Sequence, residues 1–510
     1  MMQHLPILPI LIPLIGGLLM LLPPFNGIER YMIRRFASII LLLSQVACAL
    51  WMTSTVIATG PMAYAVGDWQ APFGIILYVD KLAVLLVSLT AFLGLCITLY
   101  SFAGTDREGR YFHPLVQFQL LGIYGAFLTN DIFNLFVFFE VLLIASYSLL
   151  IHGGGKQRTG ANVHYVILNL IGSSLFLFAL GTLYGTTGTL NIAHMSQRIG
   201  ELEGGQAIIA QVGGALLLVV FGLKSAMLPL HFWLPRTYEV ATAPVAALFA
   251  IMTKVGVYCM FRVFTVIFGD DAGELSNMAQ AWVWPLAILT MVAGSFGALA
   301  SPNLRMLAGN LVLISVGTLL IAFSLRSVEA SAAGMYYLIH STLITAGLFL
   351  VADMIGQQRG KALDRFVMAR RVQQPALLGA MFFFCAIAVA GLPPLSGFLG
   401  KLVILQAAHS AAEQIWVWGA ILVSSLIAII ALSRAGTTLF WRHNNANKDA
   451  NEETSVSKWQ ITGTVLLLAA SPVVVVFGAP VLAFTQDAAQ QLHDISSLLE
   501  LLNLKGATAL

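Results

Sequence analysis

Apolar residues in this chain gather in runs of about 20, the length a helix needs to cross hydrocarbon, and polar residues collect in short segments between them. Taken in order, the runs predict fourteen spans, at approximately 3–22, 36–59, 79–102, 114–130, 132–151, 164–187, 207–230, 243–268, 281–300, 306–324, 333–355, 375–409, 414–440 and 459–485. The fold class this implies is an all-α membrane protein. Two of the runs are not simple helices. Val219–Arg236 reads VVFGLKSAMLPLHFWLPR, so Lys224 sits inside an apolar segment that Pro229 and Pro235 then interrupt. Pro229 donates no backbone hydrogen bond and frees the carbonyl of Ser225, and freed backbone at membrane depth survives only where protein or water satisfies it. The twelfth run is too long for one straight helix and contains GLPPLSGFLGK, Gly391–Lys401, which predicts a second broken helix.

Weaker patterns lie between and after the spans. Ile192, Met195, Ile199 and Leu202 form an apolar stripe in Asn191–Gln206, and Leu492, Ile495, Leu498, Leu499 and Leu502 form another in the tail. The tail stripe is expected on the outer membrane surface or against a neighbouring subunit. Arg442–Lys458 (RHNNANKDANEETSVSK) reads as a polar loop on the cytoplasmic side.

Composition agrees with this pattern: 58% of the 510 residues are hydrophobic and 10% charged, which excludes disorder and argues against a soluble enzyme. A formal charge of +3, with dispersed basic residues, gives no reason to expect nucleic acid. Cys48, Cys96, Cys259 and Cys385 each sit in a different apolar run, so neither a disulfide framework nor a metal site follows. No Lys or Arg precedes the first apolar run, so residues 1–22 read as the first span and not as a cleaved leader. The chain carries no nucleotide loop and no catalytic Ser or Cys constellation, and no cofactor is expected.

Basic residues test the span count independently, because Lys and Arg gather in alternate loops when spans are real. Lys81, Arg198, Arg326 and Lys505 are the four on one side, Lys224, Lys254, Arg262 and Lys401 the four within spans, and the remaining eighteen of the 26 lie in the opposite set of loops. That larger set reads as cytoplasmic, which leaves both termini outside.

Charges at hydrocarbon depth carry the functional signal, because an ammonium there costs roughly 2.5 to 3.5 kcal/mol on insertion scales. Glu140, in LFVFFEVLLIASY, lies about 12 Å or more from either end of its span at 1.5 Å per residue, too deep for a short carboxylate to reach water. Lys224 is its expected partner. Lys254 in IMTKVGVY, His340 in YYLIHSTLITAG and Lys401 after the double proline extend the set. Asp131, Glu239, Asp270, Asp271, Arg262 and Asp353 fall near span ends and are assigned to the interface. A row of titratable groups is what a proton path needs. Lysine has no acceptor, so a sodium ion in transit would need oxygen ligands such as Glu140, carbonyls, hydroxyls or water, and no metal-binding residues are assigned.

At these residues the sequence resembles the antiporter-like subunit family shared by respiratory complex I, membrane-bound hydrogenases and Mrp-type multisubunit sodium/proton antiporters. The resemblance covers nearly the whole chain and is carried by FFEVLLIASYSLL, GLKSAMLPLHFWLP, TKVGVYCMFR and GLPPLSGFLGK, in this order and spacing. It implies fourteen helices with two inverted five-helix repeats, spans 4 to 8 and 9 to 13, of which the seventh and twelfth are broken. The corresponding divisions are 1–113, 114–268 and 269–440, with 441–510 as polar loop, last span and amphipathic tail. Carried over, the family's proton-translocating residues are Glu140, Lys224, Lys254, His340 and Lys401. Length favours the D-type member of the Mrp assembly: a secondary transporter component without catalytic activity, in a bacterial inner membrane. Its implied partners are other membrane subunits, Na+ and H+, and the lipid bilayer. The alternative is a proton-pumping subunit of a complex I or hydrogenase assembly, which would make it a translocase subunit of an NADH:quinone oxidoreductase.

Overall fold

The computed structural model describes residues 2–23, 25, 30–442 and 455–504, so most of the polar loop and the last residues of the tail, Lys505 included, lie outside it. The helices, in chain order, are α1 Leu8–Leu21, α2 Tyr31–Thr59, α3 Lys81–Ser101, α4 Phe112–Leu128, α5 Ile132–Leu150, α6 Lys156–Thr187, α7 Ile192–Gly200, α8 Gly204–Ser225, α9 Trp233–Val240, α10 Ala243–Phe249 and α11 Met252–Cys259. They continue as α12 Gln280–Ala300, α13 Leu304–Ser324, α14 Val328–Gln358, α15 Pro375–Ala390, α16 Ser396–Gln406, α17 Ala411–Gly436, α18 Lys458–Val476, α19 Gly478–His493 and α20 Ile495–Leu501. Among the described residues, 12 helices are long and apolar enough to cross a membrane. The other two expected spans fall on α4, of 17 residues, and on the pair α15 and α16, each shorter still.

Polar residues at the ends of the apolar runs start the helices. Asp80 accepts from Ala83 N at 2.8 Å, Asp131 from Asn134 N at 2.7 Å and Asn303 from Met306 N at 2.8 Å, each satisfying a donor that the helix leaves free. Asp131, expected at a span end, is therefore a cap. Ser410 with Glu413 and Ser457 with Gln460 form reciprocal capping boxes on α17 and α18.

Apolar character all round a helix marks the interior. Every residue of α10 and α11 is buried, and so is nearly all of α13 and α14, whereas α2, α6, α17 and α18 turn one apolar face outward. The interior helices are the ones that carry Lys254 and His340.

Two local features go beyond or against the sequence reading. Between the second and third spans lies an antiparallel hairpin, β1 Met62–Ala65 paired with β2 Ile76–Val79, in which Met62 opposes Val79. The tail stripe does not wait for a membrane or a neighbour. Leu492, Leu498 and Leu502 are buried within the chain, and so are Ile192, Met195 and Ile199 of α7, on which α20 packs. Both stripes find cover inside the chain, which neither sequence pattern reveals alone.

Candidate functional site

Both broken helices are present. α8 ends at Ser225, Ala226 takes the left-handed conformation at φ 61°, and the chain turns through the proline segment before α9 starts at Trp233. Protein groups satisfy backbone at the break, as depth requires. Met227 N donates to Gly222 O at 2.8 Å, Trp233 Nε1 to Leu223 O at 3.1 Å, and Leu228 N to Thr290 Oγ1 at 2.9 Å. In the second half α15 ends at Ala390, Gly391 turns at φ 80° and α16 begins at Ser396.

Glu140 and Lys224 lie on α5 and α8, and α6 separates and joins them. Lys224 Nζ donates to Asn169 Oδ1 at 2.8 Å, and the Ser173 hydroxyl donates to Glu140 Oε1. Asn169 and Ser173 are one turn apart on the same face of α6. The expected direct Glu140–Lys224 ion pair is absent: a side-chain amide and a hydroxyl stand between the charges, and Lys224 Nζ instead lies 5.7 Å from the ring centre of Phe139, the residue before Glu140. Sequence reasoning missed Asn169 and Ser173. The visible signal was two polar residues spaced by four in the apolar run of α6, a spacing equally common in helix packing.

Lys254 is wholly buried on α11, and its ammonium nitrogen has no hydrogen-bond partner among the described residues. α11 passes hard against the end of α8, where a Cβ on Gly256 would come within 2.6 Å of Ser225 N, so only glycine permits this approach. Lys254, two residues before Gly256, is about 160° round the helix from that contact and so lies on the opposite face of α11.

His340 and Lys401 line one small cavity of about 20 Å3, together with Ser315, Tyr337, Ser341 and Thr345. That is room for about one water. His340 Nδ1 is 2.8 Å from Ser396 Oγ, and Ser396 Oγ is 2.7 Å from Ser471 Oγ. Lys401 Nζ donates to Val389 O at 3.1 Å, Ala390 O at 3.0 Å and Ser425 Oγ at 2.8 Å. Two of these acceptors are the last carbonyls of α15, the negative end of that half-helix. His340 lies within electrostatic reach of both Lys401 and Lys254, which links the two halves.

Of the residues assigned to the interface, Arg262 is a correction. It is 3% exposed in a π-helical turn after α11, and Arg262 Nη2 pairs with Asp80 at 2.7 Å, a carboxylate that is itself fully buried. Arg262 Nε also donates to Tyr258 OH, at 3.2 Å. Lys254, Tyr258 and Arg262 are spaced by four, so one face of this helix is polar from mid-membrane to its end. Asp353 stays near a span end but is not idle, since it accepts from Arg305 and Tyr100. Among the described residues no group of His, Cys, Asp or Glu is arranged to hold a metal ion.

A polytopic helical bundle with two interrupted helices and a buried row of ammonium, carboxylate and imidazole groups defines a class of ion-handling membrane proteins. The chain belongs to the family described as NADH:quinone oxidoreductase/Mrp antiporter, transmembrane, whose profile matches residues 129–428. The D component of a probable K(+)/H(+) antiporter from Rhizobium meliloti is 37% identical, over 94% of this chain and 92% of that one. The D component of the Na(+)/H(+) antiporter from Bacillus subtilis is 38% identical, over 89% of this chain and 90% of that one. A chain of the archaeal membrane-bound sulfane sulfur reductase superposes with a TM-score of 0.87 at 26% identity, covering 98% of this chain and all of that one. A chain of the Mrp complex of Dietzia sp. superposes with a TM-score of 0.83 at 24% identity, covering 98% of this chain and 99% of that one, a likeness of fold.

Proposed function

We propose that this chain is the proton-conducting subunit of a multisubunit monovalent cation/proton antiporter, a transporter component and not an enzyme. It takes the place of the D-type component among other membrane subunits in a bacterial cell membrane. The observation that carries the reading is Lys254, a fully buried ammonium without a hydrogen-bond partner among the described residues, in a chain that buries two further pairs of polar, titratable groups. Such a group is costly as packing and useful as a proton carrier. The relatives are named as antiporter components and match along nearly their whole length, which favours antiport over redox-coupled pumping. They differ in the cation, K(+) for one and Na(+) for the other, so the exchanged ion is a monovalent cation, and we assign Na+.

In this mechanism the proton moves laterally. Glu140 sets the charge state of Lys224 through Asn169 and Ser173, Lys224 exchanges a proton with Lys254 on the neighbouring α11, and His340 passes it to Lys401. The row lies in a fourteen-span chain of two inverted repeats, residues 114–268 and 269–440, with the arginine-rich loops in the cytoplasm and both termini outside. The two breaks and the basic-residue bias support that arrangement.

Cation-dependent proton movement in everted vesicles tests it. Glu140→Ala and Lys224→Ala should each abolish the movement while the complex still assembles, because removing a charge from hydrocarbon relieves an insertion cost. Full activity in either variant at normal expression would remove that residue from the path. Glu140→Asp should keep more activity than Glu140→Gln, since the amide loses the charge that favours protonated Lys224.

A further inference from the structure

α18 presents apolar residues outward, Val465, Leu466, Val473 and Val476 among them, yet its buried face carries Gln460, Thr464 and Ser471. Spacings of four and seven place the three within about 40° of one another around a helix of 3.6 residues per turn. Each end of this polar face joins something. At the upper end, mid-membrane, Ser471 Oγ meets Ser396 Oγ at 2.7 Å and Ser396 Oγ meets His340 Nδ1 at 2.8 Å. At the lower end Gln460 Nε2 donates to Tyr100 OH at 3.3 Å, and Tyr100 OH donates to Asp353 Oδ2 at 2.8 Å. Asp353 in turn pairs with Arg305 at 3.1 Å, and Arg305 lines an open cavity of about 1070 Å3 on the arginine-rich face. Tyr100, Thr464 and Ser396 are fully buried, and Gln460, Ser471 and His340 nearly so.

We infer that the seam of α3, α14 and α18 is a proton track from the arginine-rich face to His340, separate from the lateral row and feeding it at its middle. This rests on the antiporter reading above. Asp353, 18% exposed beside Arg305, takes a proton from the arginine-rich face and gives it up to the track, Tyr100, Thr464, Ser471 and Ser396 each accept one proton and release another, and His340 gains one at Nδ1. Only Asp353 and His340 change charge. His340 then releases a proton from Nε2 towards the cavity it shares with Lys401. Gln460 holds the Tyr100 hydroxyl in place and is a positioning residue.

Thr464 separates this reading from simple helix packing. A threonine that glues helices spends its hydroxyl on a neighbour or on its own helix. The Thr464 Oγ1 is buried and has no hydrogen-bond partner among the described residues. The two turns between Thr464 and Ser471, about 10 Å at 1.5 Å per residue, are lined by Leu467 and Leu468, so this is where the track closes when it is not conducting. Two or three waters in file would span it.

The test compares Thr464→Val, Ser471→Ala, their double variant and Thr464→Ser in the assembled complex, by cation-dependent proton flux in everted vesicles, with thermal stability measured alongside. Valine has the shape of threonine and removes an unpaired buried hydroxyl, so stability should hold or rise. Each single variant should lose about tenfold in flux, a barrier increase of about 1.4 kcal/mol. Thr464→Ser should restore it, and the double variant should be no slower than the slower single, since the two hydroxyls act in series. Wild-type flux in either single variant would overturn the track. So would a loss that serine does not restore, or losses that multiply in the double variant with falling stability, which is the behaviour of packing. A wild-type complex that moves no protons in response to cations would bring down the antiporter reading instead, and the track with it.

Discussion

Lys224 is the residue before the last of α8, ahead of its break, whereas Lys401 stands five residues into α16, behind its break, and yet both lysines lie at the carbonyl end of a half-helix. In the first half those carbonyls are already taken: Leu223 O by Trp233 and Gly222 O by Met227. Lys224 therefore reaches across to one neutral acceptor, Asn169, with a carboxylate a single helix turn away. In the second half the lysine itself is the donor that satisfies the end of α15, with three acceptors and no acid beside it. One ammonium is held by a single bond; the other is tethered by three and faces an imidazole across a cavity. The halves are alike in outline and unlike in how they hold their lysine.

The most damaging way to break this comparison is to forbid proton release altogether. Arginine keeps charge and approximate size but does not deprotonate. Lys254→Arg should cost about a hundredfold or more in flux, the scale of a lost acid–base group, while both terminal lysines remain in place. Normal transport in this variant would exclude proton transfer through Lys254 and leave it a purely electrostatic role. Lys401→Arg is read in the same way. Loss at Lys401 with function kept at Lys254 would mean that each half conducts by itself.

Tethering is tested at Gly391. A Cβ there would meet Lys401 Cδ at 2.8 Å and Nζ at 3.2 Å, at a φ of 80° that side chains avoid. Gly391→Ala should push the ammonium off the α15 carbonyls and lower flux by about tenfold, or 1.4 kcal/mol of barrier, with intact expression of the complex. Unchanged flux would show that those bonds do not matter to exchange.

The acceptors give the next, smaller contrast. Asn169→Leu removes the one hydrogen bond of Lys224, and hydrogen bonds to charged groups are worth about 1.5 to 3 kcal/mol. Lys224 should then turn to Glu140 and hold its proton, with a clear loss of flux and a shift in its pH dependence. Ser425→Ala leaves Lys401 two carbonyls and should change flux less. Equal effects would erase the distinction between a single and a multiple tether.

The spans and both breaks are legible in the sequence because a 20-residue apolar run and a proline inside it each have one structural meaning at membrane depth. Depth also singles out Glu140, Lys224, Lys254, His340 and Lys401. Their partners are not legible. Asn169, Ser173, Ser396 and Ser425 are small polar residues of the kind that any helix interface uses, and only three-dimensional neighbours distinguish a relay from packing. Arg262 is misplaced for a related reason: its position near a span end suggests water, but Asp80, 182 residues away, follows it into the interior. The tail and α7 each look partnerless in sequence because a stripe on one helix does not say what covers it.

The smallest effect is expected at Ala226, the counterpart of Gly391 at the first break. Both residues turn the chain in the left-handed region, but alanine does so at a cost of about 1 to 2 kcal/mol that glycine does not bear. Glycine also has more freedom to lose on folding, by roughly 0.5 to 1 kcal/mol, which offsets part of that relief. Ala226→Gly should therefore leave stability unchanged or raise it by up to about 1 kcal/mol, read as the thermal transition of the purified complex. Flux is the more telling readout. The Ala226 side chain is fully buried and is a partner in neither the Asn169 bond nor Trp233's bond to Leu223 O, so if those contacts alone hold Lys224, transport should be unaffected. A loss of flux with equal or greater stability would instead mean that the strained turn itself poises the lysine, and that the first half, unlike the second, stores in its backbone part of what it needs to let the proton go.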